Sequence, residues 1–167
     1  MNELTDEARS ERFGGICEAI GFTLWQLQTL EGSTAQFFVL VEQAVPQMGE
    51  EQGNLLVAQA QRKTFGGSIA QLAKSDHLPT GLLERFQALL KERNWLVHSS
   101  NADSKRALAD DAALVGLHGR LESIVDEARG LLKEISALSQ NFVLRKGISK
   151  EDLEAKIAET LLKWQSS

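Results

Sequence analysis

The sequence predicts an all-α protein, and three observations lead to that prediction. The good helix formers Ala, Leu, Glu, Gln and Lys predominate among the 167 residues. Proline occurs only at Pro46 and Pro79, so few positions force a helix to end. Apolar residues recur at helical spacing, whereas the alternating Val, Ile and Thr runs typical of strands are missing. We therefore expect one helical-bundle domain over residues 1–167.

The first half of the chain predicts one long and one short helix. Residues 1–12 are polar and are expected to form a frayed lead-in. An apolar pattern of helical period then continues over 15–45, and the polar stretch 47–63 suggests a loop or an irregular helix. Thr64 can cap a short helix over about 65–74, because its hydroxyl can accept a hydrogen bond from a free main-chain N–H.

The second half predicts three helices. An amphipathic helix is expected over 80–99, and the longest apolar pattern follows over 104–141. A last amphipathic helix is expected over 149–164, where Ser149 and the acidic residue three positions later form a weak capping box. The two long helices, 15–45 and 104–141, are predicted to pack antiparallel as the spine of an up-down bundle.

Composition limits the kinds of protein this chain can be. The single cysteine, Cys17, excludes an internal disulfide and a cysteine-based zinc cluster. No apolar run approaches the roughly 20 residues of a membrane span, and the polar start does not resemble a signal peptide. We therefore expect a soluble, cytoplasmic protein with no membrane, metal or cofactor. The net charge of −5 argues against nucleic-acid binding over the whole surface, but it leaves room for a local basic cleft.

The segment 93–98 carries the clearest chemical pattern in the chain. Asn94 and His98 are four residues apart and share a helix face, while Arg93 falls near the middle of the apolar stripe. Because a buried arginine is costly unless it is paired, Arg93 requires a partner or an opening to solvent. Trp95 points roughly the opposite way, where a large apolar side chain is often an interface anchor.

These residue types suit phosphodiester chemistry on RNA. Imidazole exchanges protons near neutral pH, so His98 can activate a ribose 2′-hydroxyl. A guanidinium can hold the attacked phosphate while it stays charged, which is the role expected of Arg93. The nearby basic residues Lys91, Lys105 and Arg106 are candidates for guiding an RNA backbone. They are equally well explained as ordinary surface charges.

A purely structural explanation of the same residues is also open. His98 lies at the predicted end of its helix, where it can cap free main-chain carbonyl groups. Arg93 can form a structural salt bridge with a glutamate. Neither of these structural roles requires His98 or Arg93 to take part in a reaction.

The spacing Arg93-Asn94-x-x-x-His98 resembles the Arg-x4-6-His signature of the HEPN superfamily, a group of small helical-bundle proteins. The surrounding residues 89–98 fit that setting, and residues 64–72 resemble a segment found upstream of the motif in some bacterial members. The resemblance covers about residues 15–140, although only the motif itself is specific. It implies a HEPN-like bundle with short helices beside the two long ones.

The resemblance also implies an activity. HEPN ribonucleases are metal-independent endoribonucleases, usually homodimers whose two motifs face each other across one cleft. The 2′-hydroxyl attacks the adjacent phosphodiester and leaves a 2′,3′-cyclic phosphate. Carried onto this chain, His98 would move the proton, Arg93 would stabilise charge on the phosphate, and Asn94 would orient His98 or the phosphate. Such proteins often serve as toxins, in phage defence or in RNA processing, which makes an antitoxin or regulatory protein a candidate partner of this chain.

One departure from the family pattern concerns control. Some members have a tyrosine two residues after the histidine, which a partner nucleotidyltransferase modifies, but this chain has Ser100 there. Control by that modification is therefore not expected.

The alternative function is a non-catalytic helical interaction module, such as an antitoxin, an adaptor or a scaffold. It would bind its partner through Trp95, Trp164 and the long helices, and Arg93 and His98 would then be structural. In that case alanine at either position lowers the melting temperature.

Overall fold

The computed structural model describes residues 5–165. These residues form helices joined by short connections, and no strand occurs among them, so the all-α prediction is confirmed. The helices are α1 (Asp6–Glu42), α2 (Glu50–Gln61), α3 (Phe65–Leu72), α4 (Thr80–His98), α5 (Ser100–Ala109), α6 (Asp111–Arg145) and α7 (Lys150–Gln165).

Helix α1 begins earlier than the sequence pattern predicts. The Thr5 hydroxyl accepts a hydrogen bond from the main-chain N–H three residues later, at 3.2 Å, and the helix continues from Asp6. Acidic residues in this first turn favour the positive end of the helix dipole. Arg12 contacts the carboxylate of Asp111 at the start of α6. The expected lead-in is therefore helical from residue 6, and residues 1–4 lie outside the described part.

The stretch expected to be a loop or an irregular helix contains a regular one, α2. Its contact with α1 is made by the buried residues Ala35, Val39 and Ala60, with Leu56 and Val57 partly buried beside them. This narrow apolar contact orders α2 although most of its residues are exposed. Tertiary packing has overridden a weak local signal.

The helix that carries the motif agrees closely with its prediction. Thr64 caps α3 as expected, since its hydroxyl accepts a hydrogen bond from the N–H of Gly67 at 3.1 Å. Helix α4 covers residues 80–98 against the predicted 80–99. Its apolar stripe is buried in the main core, which contains the α4 residues Leu82, Phe86, Leu89 and Leu96.

The longest predicted helix, over 104–141, is divided into α5 and α6. Asp110 takes an extended conformation between them, and its carboxylate accepts hydrogen bonds from the N–H groups of Ala112 and Ala113 at 3.4 and 3.0 Å. Asp110 is thus the N-cap of α6. Neither glycine nor proline marks this break, and the apolar spacing continues across it. The sequence pattern therefore does not reveal that the helix is divided.

The predicted antiparallel packing of the two long helices is wrong, because α1 and α6 run parallel. Near the start of both helices, Arg12 contacts Asp111. Further along both, the Arg129 guanidinium carbon lies 5.6 Å from the ring centre of Phe22. These contacts advance in the same direction along the two helices.

The far ends of α1 and α6 also meet, through one loop residue. The imidazole of His77 lies 3.9 Å from the Glu42 carboxylate and packs edge-on against the ring of Phe142, with ring centres 5.6 Å apart. An even number of chain reversals between α1 and α6 gives the two helices the same direction. The sequence pattern does not indicate that number of reversals, because α2 looks like a loop and the α5–α6 break is hidden.

Helix α4 runs antiparallel to α6, and two ion pairs join them. Arg85 of α4 bonds Glu127 of α6 at 2.8 Å, and Glu92 of α4 bonds Arg120 of α6 at 2.7 Å. The contact that lies later in α4 is made with the earlier residue of α6, so the two helices run in opposite directions. Arg85, whose pKa is raised by its hydrogen bond to Glu127, stays charged at any physiological pH. These pairs fix the rotation of α4 about its axis, and so they set which motif residues face solvent.

The last helix, α7, begins at the cap expected at Ser149, with the Asp152 carboxylate bonded to the Ser149 hydroxyl and not to its main-chain N–H as in a full capping box. The Ser149 hydroxyl accepts a hydrogen bond from the Asp152 N–H at 3.1 Å and donates one to the Asp152 carboxylate at 2.8 Å. The side chain of Trp164 lies outside the described part of the structure. Within residues 5–165, no helix has the length and apolar content needed to cross a bilayer.

Candidate functional site

One solvent-facing stripe of α4 carries two of the three expected catalytic residues. Lys91, Asn94 and His98 stand three and four residues apart in succession, so they fall on the same side of the helix. All three are exposed, because the buried side of α4 packs into the core through residues such as Phe86 and Leu89. His98 is also the last residue of the helix. Its imidazole is therefore open to an incoming substrate.

Arg93 lies apart from this stripe and is held by Glu31 of α1. The Arg93 Nε donates a hydrogen bond to Glu31 Oε1 at 3.0 Å, and the two side chains are 27% and 25% exposed. The partner that a half-buried arginine requires is thus present. The structural explanation of Arg93, in which it forms a salt bridge with a glutamate, predicts this partner equally well.

The terminal nitrogens of Arg93 remain available for a ligand. Among the described residues no hydrogen bond to Nη1 or Nη2 occurs, and no buried side-chain nitrogen or oxygen lacks a partner. The Nη atoms must therefore reach solvent. Glu31 orients the guanidinium through Nε and leaves its outer edge free, which is the edge that bonds phosphate oxygens.

The surface between Arg93 and His98 consists of two exposed residues. The five-residue separation amounts to about 7.5 Å along the helix axis and about 140° of rotation. Asn94 and Val97 fall within that angle, and Val97 is 45% exposed although it is apolar. A phosphate that touches both Arg93 and His98 would lie over these two residues.

Glu31 is the site residue that sequence reasoning missed. It is 62 residues from Arg93 in the chain, and no local pattern joins them. A signal was present, however, because Glu31 falls beside the buried Leu27 and Leu30 on the packed side of α1. A carboxylate in that position requires a cationic partner.

Trp95 is covered by the chain itself. Its Nε1–H donates to Asp103 of α5 at 2.9 Å, and the Arg120 guanidinium of α6 stacks on the indole, 3.5 Å from the ring centre. The helical wheel places Trp95 opposite the core, but α5 and α6 pack on that side of α4. A contact between Trp95 and a second copy of the chain stays a prediction.

The three candidate RNA-binding residues differ in their surroundings. Arg106 is paired with Asp103, while Lys91 and Lys105 are exposed with no ion pair to another described residue. The hydrogen bond from Arg106, followed by that from Trp95, lowers the pKa of the Asp103 carboxyl. Arg106 therefore belongs to the packing around Trp95, and the two lysines are the freer cations.

Metal-ligating residues do not gather in the described part of the chain. Within residues 5–165 there is no group of three or more His, Cys, Asp or Glu side chains placed to hold an ion.

Comparison of the chain with protein-family models, with curated proteins and with solved structures gave no match.

Proposed function

We propose that this protein is a metal-independent endoribonuclease of the HEPN type. The observation that carries the proposal is the exposed His98, which shares a surface with Asn94 and lies near an arginine whose outer edge is open. Glu31 supports the same assignment, because it fixes the direction of the Arg93 guanidinium. A preset cation stabilises charge in a transition state without reorganising.

The proposed reaction is a transfer of the phosphodiester within the RNA. The His98 imidazole takes the proton of a ribose 2′-hydroxyl, and the 2′-oxygen forms a bond to phosphorus. The bond from phosphorus to the 5′-oxygen breaks, that oxygen takes a proton from water, and the hydroxide left behind takes the proton back from His98. The products are a 2′,3′-cyclic phosphate and a 5′-hydroxyl. Arg93 donates hydrogen bonds to the non-bridging oxygens, and Asn94 orients His98 or the phosphate.

A homodimer is part of this proposal. Exposed Val97 lies between Arg93 and His98 on the α4 surface, and an apolar residue among the site's polar groups suits a contact with a second copy. In the dimer two motifs would face one cleft, and Lys91 and Lys105 would guide the RNA. The proposed setting is a cytoplasmic toxin or phage-defence component restrained by a protein partner.

The experiment that tests the proposal compares histidine variants on RNA. Purified protein is incubated with labelled single-stranded RNA and tRNA in EDTA. The wild type and the control His77→Ala should cleave, since His77 lies beside Glu42 and Phe142, before the start of α4 and far from the motif at its end, and His98→Ala should not. Circular dichroism establishes that each variant is folded. Cleavage that requires magnesium, or that survives in His98→Ala, would contradict the mechanism.

A non-catalytic interaction module is the second candidate, and one observation favours it. Phe22 and Trp25 lie on the surface of α1, 45% and 61% exposed, with ring centres 6.4 Å apart. Exposed aromatic pairs are common at protein interfaces. On this account the Arg93–Glu31 pair only stabilises the fold. Arg93→Ala would then lower the melting temperature by several degrees, and neither the wild type nor His98→Ala would cleave RNA.

A further inference from the structure

A cleft of about 240 Å³ opens beside Glu31, between α1, the end of α2 and the start of α3. Its size is below the roughly 300 Å³ at which pockets for drug-sized ligands begin, so it suits a ligand as small as one nucleobase. Its polar lining residues are Gln28, Glu31, Gln61, Lys63 and Ser68. Because Glu31 also holds Arg93, the cleft adjoins the motif.

The side chains of the cleft can read the edge of a nucleobase. Gln28 and Gln61 each carry an amide that donates and accepts, and neither side chain is hydrogen-bonded to another described residue. Only one carboxylate oxygen of Glu31 is bonded to Arg93, so the other can accept from an exocyclic amine. Lys63 is held in place by Gln71, at 3.0 Å, and can reach a phosphate.

Ser68 gives an independent indication of a ligand. The residue is 5% exposed, and its hydroxyl has no hydrogen-bond partner in the described part of the chain. Yet no fully buried side-chain oxygen within residues 5–165 is without a partner, so the hydroxyl must open into the cleft. Nearly buried polar groups are normally hydrogen-bonded, and a bound base would supply the missing partner.

We propose that this cleft receives one base of the RNA, next to the cleaved phosphodiester, and that Gln28, Gln61 and Ser68 read its edge. Adenine fits best, because an amide bonds its amino group and adjacent ring nitrogen together. The second oxygen of Glu31 accepts from the same amino group, and Lys63 holds the flanking phosphate. This inference rests on the proposed ribonuclease function, which it supplies with a base preference.

Substitutions at Gly32 can fill the cleft to different extents. A Cβ at position 32 would lie 3.6 Å from Gln61 Nε2, which is ordinary van der Waals contact. Gly32→Ala should therefore leave the cleft open, while Gly32→Leu should occupy it. Ser139→Ala is a matched serine control on α6, where the Ser139 hydroxyl donates a hydrogen bond to the Ile135 carbonyl of its own helix.

The test measures binding of RNA that cannot be cleaved. The full chain is titrated with four fluorescent 2′-O-methyl trinucleotides that differ only in the central base. We expect the adenine trinucleotide to bind at least about fivefold more tightly than the uracil one, as one or two extra hydrogen bonds would give. Ser68→Ala and Gln28→Ala should each reduce that preference at least threefold on this scale. Gly32→Leu should abolish it, and Gly32→Ala and Ser139→Ala should retain it.

The outcomes separate this inference from the proposed function. Equal affinity for the four trinucleotides, no binding, or a preference that the cleft variants do not change would overturn the base site even if the protein cleaves RNA. A preference that the variants remove would support the base site even if the wild type cleaves nothing. Should Gly32→Leu fail to fold, the exposed Gln28→Ala variant decides the question.

Discussion

The side chains of Arg93 and Glu31 join the motif helix to the first helix, with Nε and Oε1 3.0 Å apart. This contact has two consequences for the molecule. It makes a half-buried arginine stable at the edge of the core, and it aims the free edge of the guanidinium outward. Each consequence is measurable by changing Glu31 alone.

We predict that Glu31→Ala lowers both activity and stability. The unpaired Arg93 would lose its fixed direction, so RNA cleavage should fall about tenfold or more, as for loss of a preorganised cation. The pair is partly exposed, so the free energy of unfolding should fall by about 1–2 kcal/mol, between the values for surface and buried pairs. Cleavage rates and urea unfolding measure the two effects. Glu18→Ala, on the exposed face of α1, is the control. Unchanged cleavage in a folded Glu31→Ala protein would remove Glu31 from the site.

The stacking of Arg120 on Trp95 should depend on the planar guanidinium. Arg120 also bonds Glu92 through Nε and Nη2, at 2.7 and 3.3 Å. A lysine keeps the charge but loses the stacking and the forked hydrogen bonds. Arg120→Lys should therefore cost about 1–2 kcal/mol of unfolding free energy, measured by urea unfolding with tryptophan fluorescence. Arg129→Lys, on the more distant Phe22 ring, should cost less. Equal losses in the two variants would show that the stacking on Trp95 contributes nothing.

The stability supplied by Asp103 should disappear in acid. Hydrogen bonds from Arg106 and then Trp95 lower its pKa in the folded chain, so the folded state favours the carboxylate. That contribution is complete above the unfolded value of about 3.9 and is lost as the pH falls through the lower folded value. Asp103→Asn should melt a few degrees below the wild type at pH 7. Thermal melts recorded down the acid range should show the two curves converging. A gap that stays constant with pH would contradict the assignment.

The cap at Asp110 should matter although the residue is exposed. Asp110→Ala leaves the first N–H groups of α6 without a side-chain acceptor, which typically costs about 1 kcal/mol. For a chain of this size that lowers the melting temperature by about 2–4 °C. Asp126→Ala, in the exposed middle of the same helix, should change it little. If both variants have the same melting temperature as the wild type, the cap does not stabilise the start of α6.

The parts of the fold that could be predicted are those with local signals. The Thr64 cap, the motif helix and the Ser149 cap all depend on residues within a few positions of one another. The direction of α6 relative to α1 depends on the number of chain reversals between them, which no local pattern indicates. The break at Asp110 was hidden because the apolar period continues through it.

The candidate site divides in the same way. The shared face of Asn94 and His98 follows from helical spacing alone, and the need of Arg93 for a partner follows from its place on the apolar stripe. The identity of that partner as Glu31 depends on how α1 packs on α4. The surroundings of Trp95 depend on α5 and α6, and a helical wheel of one helix includes neither.

The most direct test of the account is the chemistry of the RNA ends. RNA treated with the wild-type protein in EDTA is analysed by mass spectrometry, beside RNA treated with His98→Ala. We predict 2′,3′-cyclic phosphate and 5′-hydroxyl ends from the wild type, and intact RNA from the variant. Ends that carry 5′-phosphate, or the same fragments from both proteins, would contradict the assignment of His98 as the group that moves the proton.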